Sequence, residues 1–327
     1  MIRPVALVLI LILVALAGIG LGSVVAAETQ PPAAALLYSD RQERVPPDGT
    51  PLTLSAPATL RLAHADLKLS SGARFALKRH HASPINGWQV VLELLEGQVN
   101  GRVQPKGAAY RLTLQGRGGS LEMTSEGAFV AYVLPNGDLL FGVLEGSARL
   151  LPNNAEIQLL SERQGVRLAA DGRVVPTEWA VLRAAAYRYD GELFTVPLHL
   201  TDSQGTTFTF TTGEVIGVPS DTYRLAVQTL IPYVVEGLRL TADQPSTLAF
   251  TFGEVIFRNA RQGVTTTLDN QLGLRVVGSE NTWRIAFDDP LIAAPGRWSF
   301  MVKQGNNPEQ RIEATVLAGR RTELAVR

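Results

Sequence analysis

From about Pro51 onward, apolar residues return at every second position, and that period constrains the fold more than any single motif does. Leu60 and Leu62, Leu67 and Leu69, Phe75 and Leu77, and Val90, Leu92 and Leu94 alternate with other residues. Leu112 and Leu114, Phe129, Ala131 and Val133, Phe141 and Val143, Ile157 and Leu159, and Val166 and Leu168 continue the series. Successive side chains of a strand point to opposite faces, so such runs bury one face and wet the other. Turn signals separate them: SSGA at 70–73, GRGG at 116–119, PNGD at 135–138, PNN at 152–154 and ADG at 170–172. Many short alternating strands with polar turns predict an all-β sandwich or barrel. One stretch, TEWAVLRAAAY at 177–187, is alanine-rich and predicts a short helix, which places a helical connector at 177–189.

Beyond the connector the β pattern resumes and repeats itself. FTTGEVI at 210–216 returns as FTFGEVI at 250–256, and over a longer window residues 218–250 match residues 294–326. This predicts tandem small β-sandwiches, 190–257 and 258–327, either as two related units or as halves of one body. Pro295-Gly296-Arg297-Trp298 and Val316-Leu317-Ala318-Gly319 resemble the turn-and-strand phrases of prealbumin-like and carboxypeptidase-regulatory-like sandwiches. Pro219 through Tyr223 and Leu240-Thr241-Ala242-Asp243 fit them more loosely. The resemblance implies a spacer, an adhesion unit or a sugar-binding platform, and such a fold does not decide among these.

In the first β region, 51–176, the chain twice places a carboxylate before a glycine after an apolar strand: LELLEGQV at 92–99 and VLEGSA at 143–148. Two carboxylates that converge on a cleft can act as acid and base. A glycine there equally supplies the positive φ that lets a strand reverse, and this architectural reading is preferred. Leu67 to Leu77 with Gly72, Leu95-Glu96-Gly97-Gln98-Val99, Leu144-Glu145-Gly146-Ser147-Ala148, and Gln164-Gly165-Val166-Arg167-Leu168 with Asp171-Gly172 resemble the FecR domain family. The match runs over roughly residues 55–175 and departs at Glu126-Gly127-Ala128-Phe129, where the family's threonine is alanine. The resemblance implies a jelly-roll-like β-sandwich. Well-known members hold a sigma factor with a cytoplasmic segment and carry an exported sensing part. Only Met1 to Pro4 lead into the apolar stretch here, a layout that disfavours direct anti-sigma signalling.

That apolar stretch, Pro4 to Ala27, contains no ionisable residue and comes after a single positive charge, Arg3. Residues 1–27 therefore predict a hydrophobic helix, either a cleaved signal peptide ending at Val25-Ala26-Ala27 or a retained transmembrane anchor. Both export the remainder of the chain. Residues 28–50, with paired prolines twice, predict an extended linker. The absence of cysteine excludes disulfides and thiolate metal sites. With Lys+Arg and Asp+Glu both at 30, the chain lacks the basic excess that nucleic acid demands.

No nucleophile motif or phosphate loop is present, and the sequence predicts neither an enzyme nor a cofactor or metal site. The candidate ligand contacts are Trp88, next after Asn86-Gly87, and the pair His80 and His81 in LKRHHASP, expected in a loop. Trp179 is expected on the connector helix, and His199, between Leu198 and Leu200, is expected to face water. The function expected is that of an exported, extracytoplasmic binding or scaffolding module contacting an envelope protein or polysaccharide. The alternative is a membrane-anchored sensor that relays through residues 4–27.

Overall fold

A computed structural model describes residues 33–83, 85–107, 109–260 and 271–326, and all regular structure in it is β. The predicted N-terminal helix lies outside the described residues, among which no helix is long and apolar enough to cross a membrane.

The first sandwich begins earlier than the sequence suggests. Its strands are β1 (Ala35–Leu37), β2 (Gln42–Arg44), β3 (Pro51–Thr53), β4 (Ala58–Arg61), β5 (Ala65–Leu69), β6 (Arg74–Ser83) and β7 (Gly87–Val103). They continue with β8 (Tyr110–Gly116), β9 (Gly119–Met123), β10 (Gly127–Val133), β11 (Leu139–Glu145), β12 (Ser147–Pro152), β13 (Gln158–Ser161), β14 (Gln164–Leu168) and β15 (Val174–Tyr187). The predicted linker is corrected here. β1 pairs with β2 and β4, and Ala34, Leu36 and Val45 are buried, because the apolar run AAALL has a sheet edge to cover.

One sheet runs β2-β1-β4-β5-β7-β10-β11-β14-β15 and the facing sheet β3-β6-β7-β8-β9-β12-β13. The long strand β7 belongs to both. Its residues up to Glu96 pair with β6 and β8, and from Gly97 onward it pairs with β5 and β10. The first Leu-Glu-Gly stretch is therefore the corner at which a strand passes between sheets, and not a reversal. Gly97 has φ +86°, and a Cβ there would lie 2.8 Å from Ala73 Cα, so both torsion and space demand glycine. The second stretch does the same work. Gly146, φ +79°, separates β11 in one sheet from β12 in the other.

Between the sheets lies an apolar core that includes Leu60, Leu67, Phe75, Leu92, Phe129, Phe141 and Val166. The alternation failed at Ile157 and Leu159, which are 57% and 67% exposed; Leu160 points inward instead. The first sheet is buried on its outer face too. Ala128, Val130, Tyr132, Leu140 and Leu144 join a second core shared with the rest of the chain.

The connector helix is the largest correction. Residues 174–187 form β15, a 14-residue strand that pairs first with β14 and then with elements of the second sandwich. Those elements are β16 (Leu193–Phe194), β17 (Pro197–Thr201), β18 (Thr207–Thr211), β19 (Val215–Pro219), β20 (Asp221–Val227), β21 (Tyr233–Leu240) and β22 (Ser246–Thr251). Ala180, Leu182, Ala184 and Ala186 are buried at a period of two, so strand pairing on both edges overrides the helix preference of alanine. Trp179 is not an exposed helix residue. It is fully buried in a slot of three glycines, where a Cβ at Gly142, Gly165 or Gly217 would fall 2.0, 2.6 or 2.5 Å from its ring.

The third sandwich comes next without a linker: β23 (Gly253–Asn259), β24 (Gln271–Val276), β25 (Thr282–Ala286), β26 (Leu291–Ala293), β27 (Gly296–Gln304), β28 (Gln310–Val316) and β29 (Arg321–Val326). It repeats the second. The sheet order β18-β17-β20-β21 recurs as β25-β24-β27-β28, and the parallel pair β15–β22 recurs as β23–β29. Tyr223 donates its hydroxyl hydrogen to the Pro219 carbonyl at 2.6 Å, and Trp298 donates its indole N–H to the Ala294 carbonyl at 2.8 Å, the same bond at the same place. The GEVI echo is not part of this repeat, because its copies fall at β18–β19 and at β22–β23. Phe252, fully buried, fills the joint, and Arg321 of β29, bonded to Glu254 beside it on β23, donates across the joint to the Tyr189 hydroxyl.

Trp179→Ala is expected to cost about 3–5 kcal/mol, as large aromatic truncations do. Because the ring joins two sandwiches, calorimetry of the variant should resolve two unfolding transitions where the parent shows one. A single transition at the parent temperature would contradict this joining role.

Candidate functional site

The three candidate contact residues lie on the hairpin formed by β6 and β7, and the structure separates their roles. His80 and His81 belong to strand β6 and not to a loop. The register shifts between Leu77 and Arg79, leaving Lys78 as the extra residue of a bulge. Before it Phe75 and Leu77 point inward; after it the inward parity passes to His80. His81 remains exposed, facing away from His80. The pair therefore cannot converge on one ion.

His80 packs instead against Trp88, ring centroids 5.2 Å apart. His64, from the loop between β4 and β5, meets Trp88 edge-on at 6.1 Å and Tyr110 at 5.5 Å. Together these rings close one end of the first core. Nδ1 of His64, Nε2 of His80 and the Tyr110 hydroxyl are buried without a protein partner. Burial, with a smaller repulsion from His81, holds the His80 imidazole below its usual range, and burial pushes the Tyr110 phenol up. The arrangement is a polar-edged aromatic plug. Among the described residues no group of three or more histidine or acidic side chains is placed to hold a metal.

Glu96 and Glu145 do not form an acid–base pair. Glu96 adjoins Gly97, opposite Val133, whereas Glu145 lies opposite Ala128. The corners thus stand five positions apart along β10, about 17 Å at strand rise. Each carboxylate faces an arginine, Glu96 with Arg74 at 3.3 Å and Glu145 with Arg102 at 2.8 Å, on exposed surface.

Sequence reasoning missed a groove between the first and second sandwiches. Two hollows of about 470 and 500 Å³ share Ser70, Ser71, Gln98 and Thr209 as walls. Gln98 is buried, and its Oε1 accepts the Thr209 backbone N–H at 3.2 Å while its Nε2 donates to Asn100 Oδ1 at 3.2 Å. Lys68 of the first sandwich and Glu214 of the second form an ion pair across one end. His199, expected in water, is half-buried on this wall, and burial lowers its basicity. The available signal was Gln98 itself, an amide one residue past the corner glycine.

No family model matches the chain, and no curated protein does. Among solved structures, two of a "putative anti-sigma factor" from Parabacteroides distasonis overlap it with TM-scores of 0.33 and 0.32 at 12% and 11% identity. Each overlap covers 39% of this chain, which spans 59% of the length of those chains. The Bacillus anthracis TIE protein overlaps 91% of this chain and 67% of its own at a TM-score of 0.20 and 9% identity. Overlaps this slight carry nothing about function, and the fold rests on the strands themselves.

Because the folded state holds His80 below its ordinary value of 6.5, the unfolded chain takes up the proton first as pH falls. Stability is full above about pH 6.5 and declines as pH drops toward the folded value. The thermal midpoint should fall between pH 7.5 and 5, and His80→Phe should reduce that fall; an unchanged pH slope would clear His80. Glu96→Gln and Glu145→Gln should each cost no more than about 1 kcal/mol, as exposed ion pairs do, measured by urea denaturation.

Proposed function

We propose that this chain is an exported, envelope-associated, non-catalytic binding or scaffolding protein whose first unit is a FecR-like sandwich, and that it contacts an envelope protein or polysaccharide. The observation that supports it best is the continuity of the apolar core. One cluster of buried residues runs from Ala128 on the outer face of the first sandwich through Trp179 and Phe208 to Phe300 and Val326 in the third. A body whose parts share side chains in this way suits holding surfaces in fixed relation. It does not suit closing around a substrate, which needs a hinge. The wide separation of Glu96 and Glu145 agrees with a non-catalytic role. The uncharged segment from Pro4 to Ala27 supplies the route of export.

Protease added to intact spheroplasts is expected to reach the β body; a body protected until the membrane is broken would overturn the proposal. Intact mass then separates the two forms of it. A soluble species beginning at Glu28 fits a secreted module, and a full-length species confined to the membrane fits the anchored sensor.

A further inference from the structure

We propose that the groove between the first and second sandwiches binds an extended, uncharged peptide segment, which adds as a strand to the free edge of β18 by displacing the Gln98 carboxamide. The proposal rests on the binding-module reading and names the partner class for it.

Strand β18 stands at the end of its sheet, with β17 as its strand neighbour among the described residues. In the β17–β18 ladder His199 lies opposite Thr209. The Thr209 N–H is directed away from β17, to Gln98. In an antiparallel pair such positions alternate, so the N–H groups of Thr207, Thr209 and Thr211 and the C=O groups of Thr207 and Thr209 face the groove, while the Thr211 carbonyl accepts the Glu214 N–H. A strand's outward backbone groups are a template for another strand. Five residues of edge offer about 17 Å of it.

The group that occupies this edge points to the ligand. What sits on the Thr209 N–H is a primary carboxamide, chemically a peptide group on a side chain. It both accepts from the strand and donates to Asn100, as the peptide unit of an incoming strand would accept and donate on its two sides. Its backbone is held in turn, since the Gln98 N–H donates to Ser70 Oγ and its carbonyl accepts the Ser70 N–H. The stand-in is thus anchored on its own wall and touches β18 through a single bond that a ligand carbonyl can replace. Hollows on both sides, each within the range of about 300–1,000 Å³ typical of ligand sites, leave room for the chain to continue.

The walls select the chemistry. Their polar groups are hydroxyls and amides, among them those of Ser70, Ser71, Asn100 and Thr209, with the half-buried His199 imidazole beside them. The charges on them, Lys68 and Glu214, neutralise each other. A charged segment would lose hydration and find no free counter-charge, whereas a neutral backbone finds partners along its length. The exposed aromatic plate on which a pyranose stacks is missing from the described walls, where Tyr132, Phe208 and Phe210 are all buried in the core. Main-chain pairing supplies affinity here, and small polar side chains fit the hydroxyl-lined sides.

The test selects from a displayed library of random octapeptides on the full chain and measures the best peptide by calorimetry and amide hydrogen exchange. Uncharged peptides are expected, and their binding should slow exchange at Thr207, Thr209 and Thr211. Thr207→Pro removes an outward N–H that Gln98 does not occupy, while leaving the β17 pairing, since proline is tolerated on an open edge and at the first residue of a strand. It should weaken binding about tenfold, the worth of one hydrogen bond. Should proline unfold β18, Gln98→Ala gives the opposite sign, because it removes the competitor and should tighten binding. Absence of any binder, or binders indifferent to both substitutions, overturns the proposal. So does protection of the same amides by neutral oligosaccharides in place of peptides, although that result leaves the binding-module reading standing. That reading falls only if neither probe class binds anywhere on the surface.

Discussion

The contact on which the rest of the molecule depends is Trp179 in its glycine slot. The indole lies where the outer face of the first sandwich meets the second, and Gly142, Gly165 and Gly217 each give up a side chain to admit it. The Tyr132 hydroxyl donates to the Gly217 carbonyl beside the ring, and Leu144 packs on the same seam. The indole N–H finds no protein acceptor there, a cost of about 1–3 kcal/mol for a buried donor. Burial of an aromatic of this size more than offsets it. Once the ring is seated, β15 has to run as a strand shared by two bodies, and the groove at Gln98 is fixed in width.

Much of this was legible in the sequence. The period of two found the strands of the first sandwich, and the long repeat found the two later ones, because exposed and buried faces leave opposite marks on alternate residues. The same rule also had more to give. GAFVAYV at 127–133 and LLFGVL at 139–144 are apolar throughout, the mark of strands covered on both sides, and they foretold a second body on that sheet. The misreadings have local causes. Alanine at 180 and 184–186 fits either period, so composition alone favoured a helix where pairing imposed a strand. The bulge at Lys78 turns His80 inward, and nothing in the residues near it announces the slip.

The candidate site divides along the same line. Trp88 and His80 were visible as an aromatic and an imidazole near a turn, and they meet as a plug whose third and fourth members are His64, from the loop between β4 and β5, and Tyr110, opposite Trp88 on β8. The groove was invisible. Its central bond joins residues 111 positions apart, across two sandwiches, and no local pattern encodes such a meeting. The Leu-Glu-Gly stretches were conspicuous for another reason: a strand that changes sheets needs a glycine at the corner, and the glutamate before it stays in solvent opposite an arginine.

The parallel pairing of first and last strands in each of the later sandwiches has a mechanical meaning. In β15–β22 and again in β23–β29, the chain enters along one strand and leaves along its parallel neighbour. A pull on the two ends of such a unit draws these strands past each other lengthwise. Every hydrogen bond of the ladder then carries load at once, where a hairpin under the same pull would open one bond at a time. Phe252 hands the tension directly from one unit to the next, with no slack segment between them. In the second and third sandwiches, a pull on the ends therefore meets a whole ladder in shear.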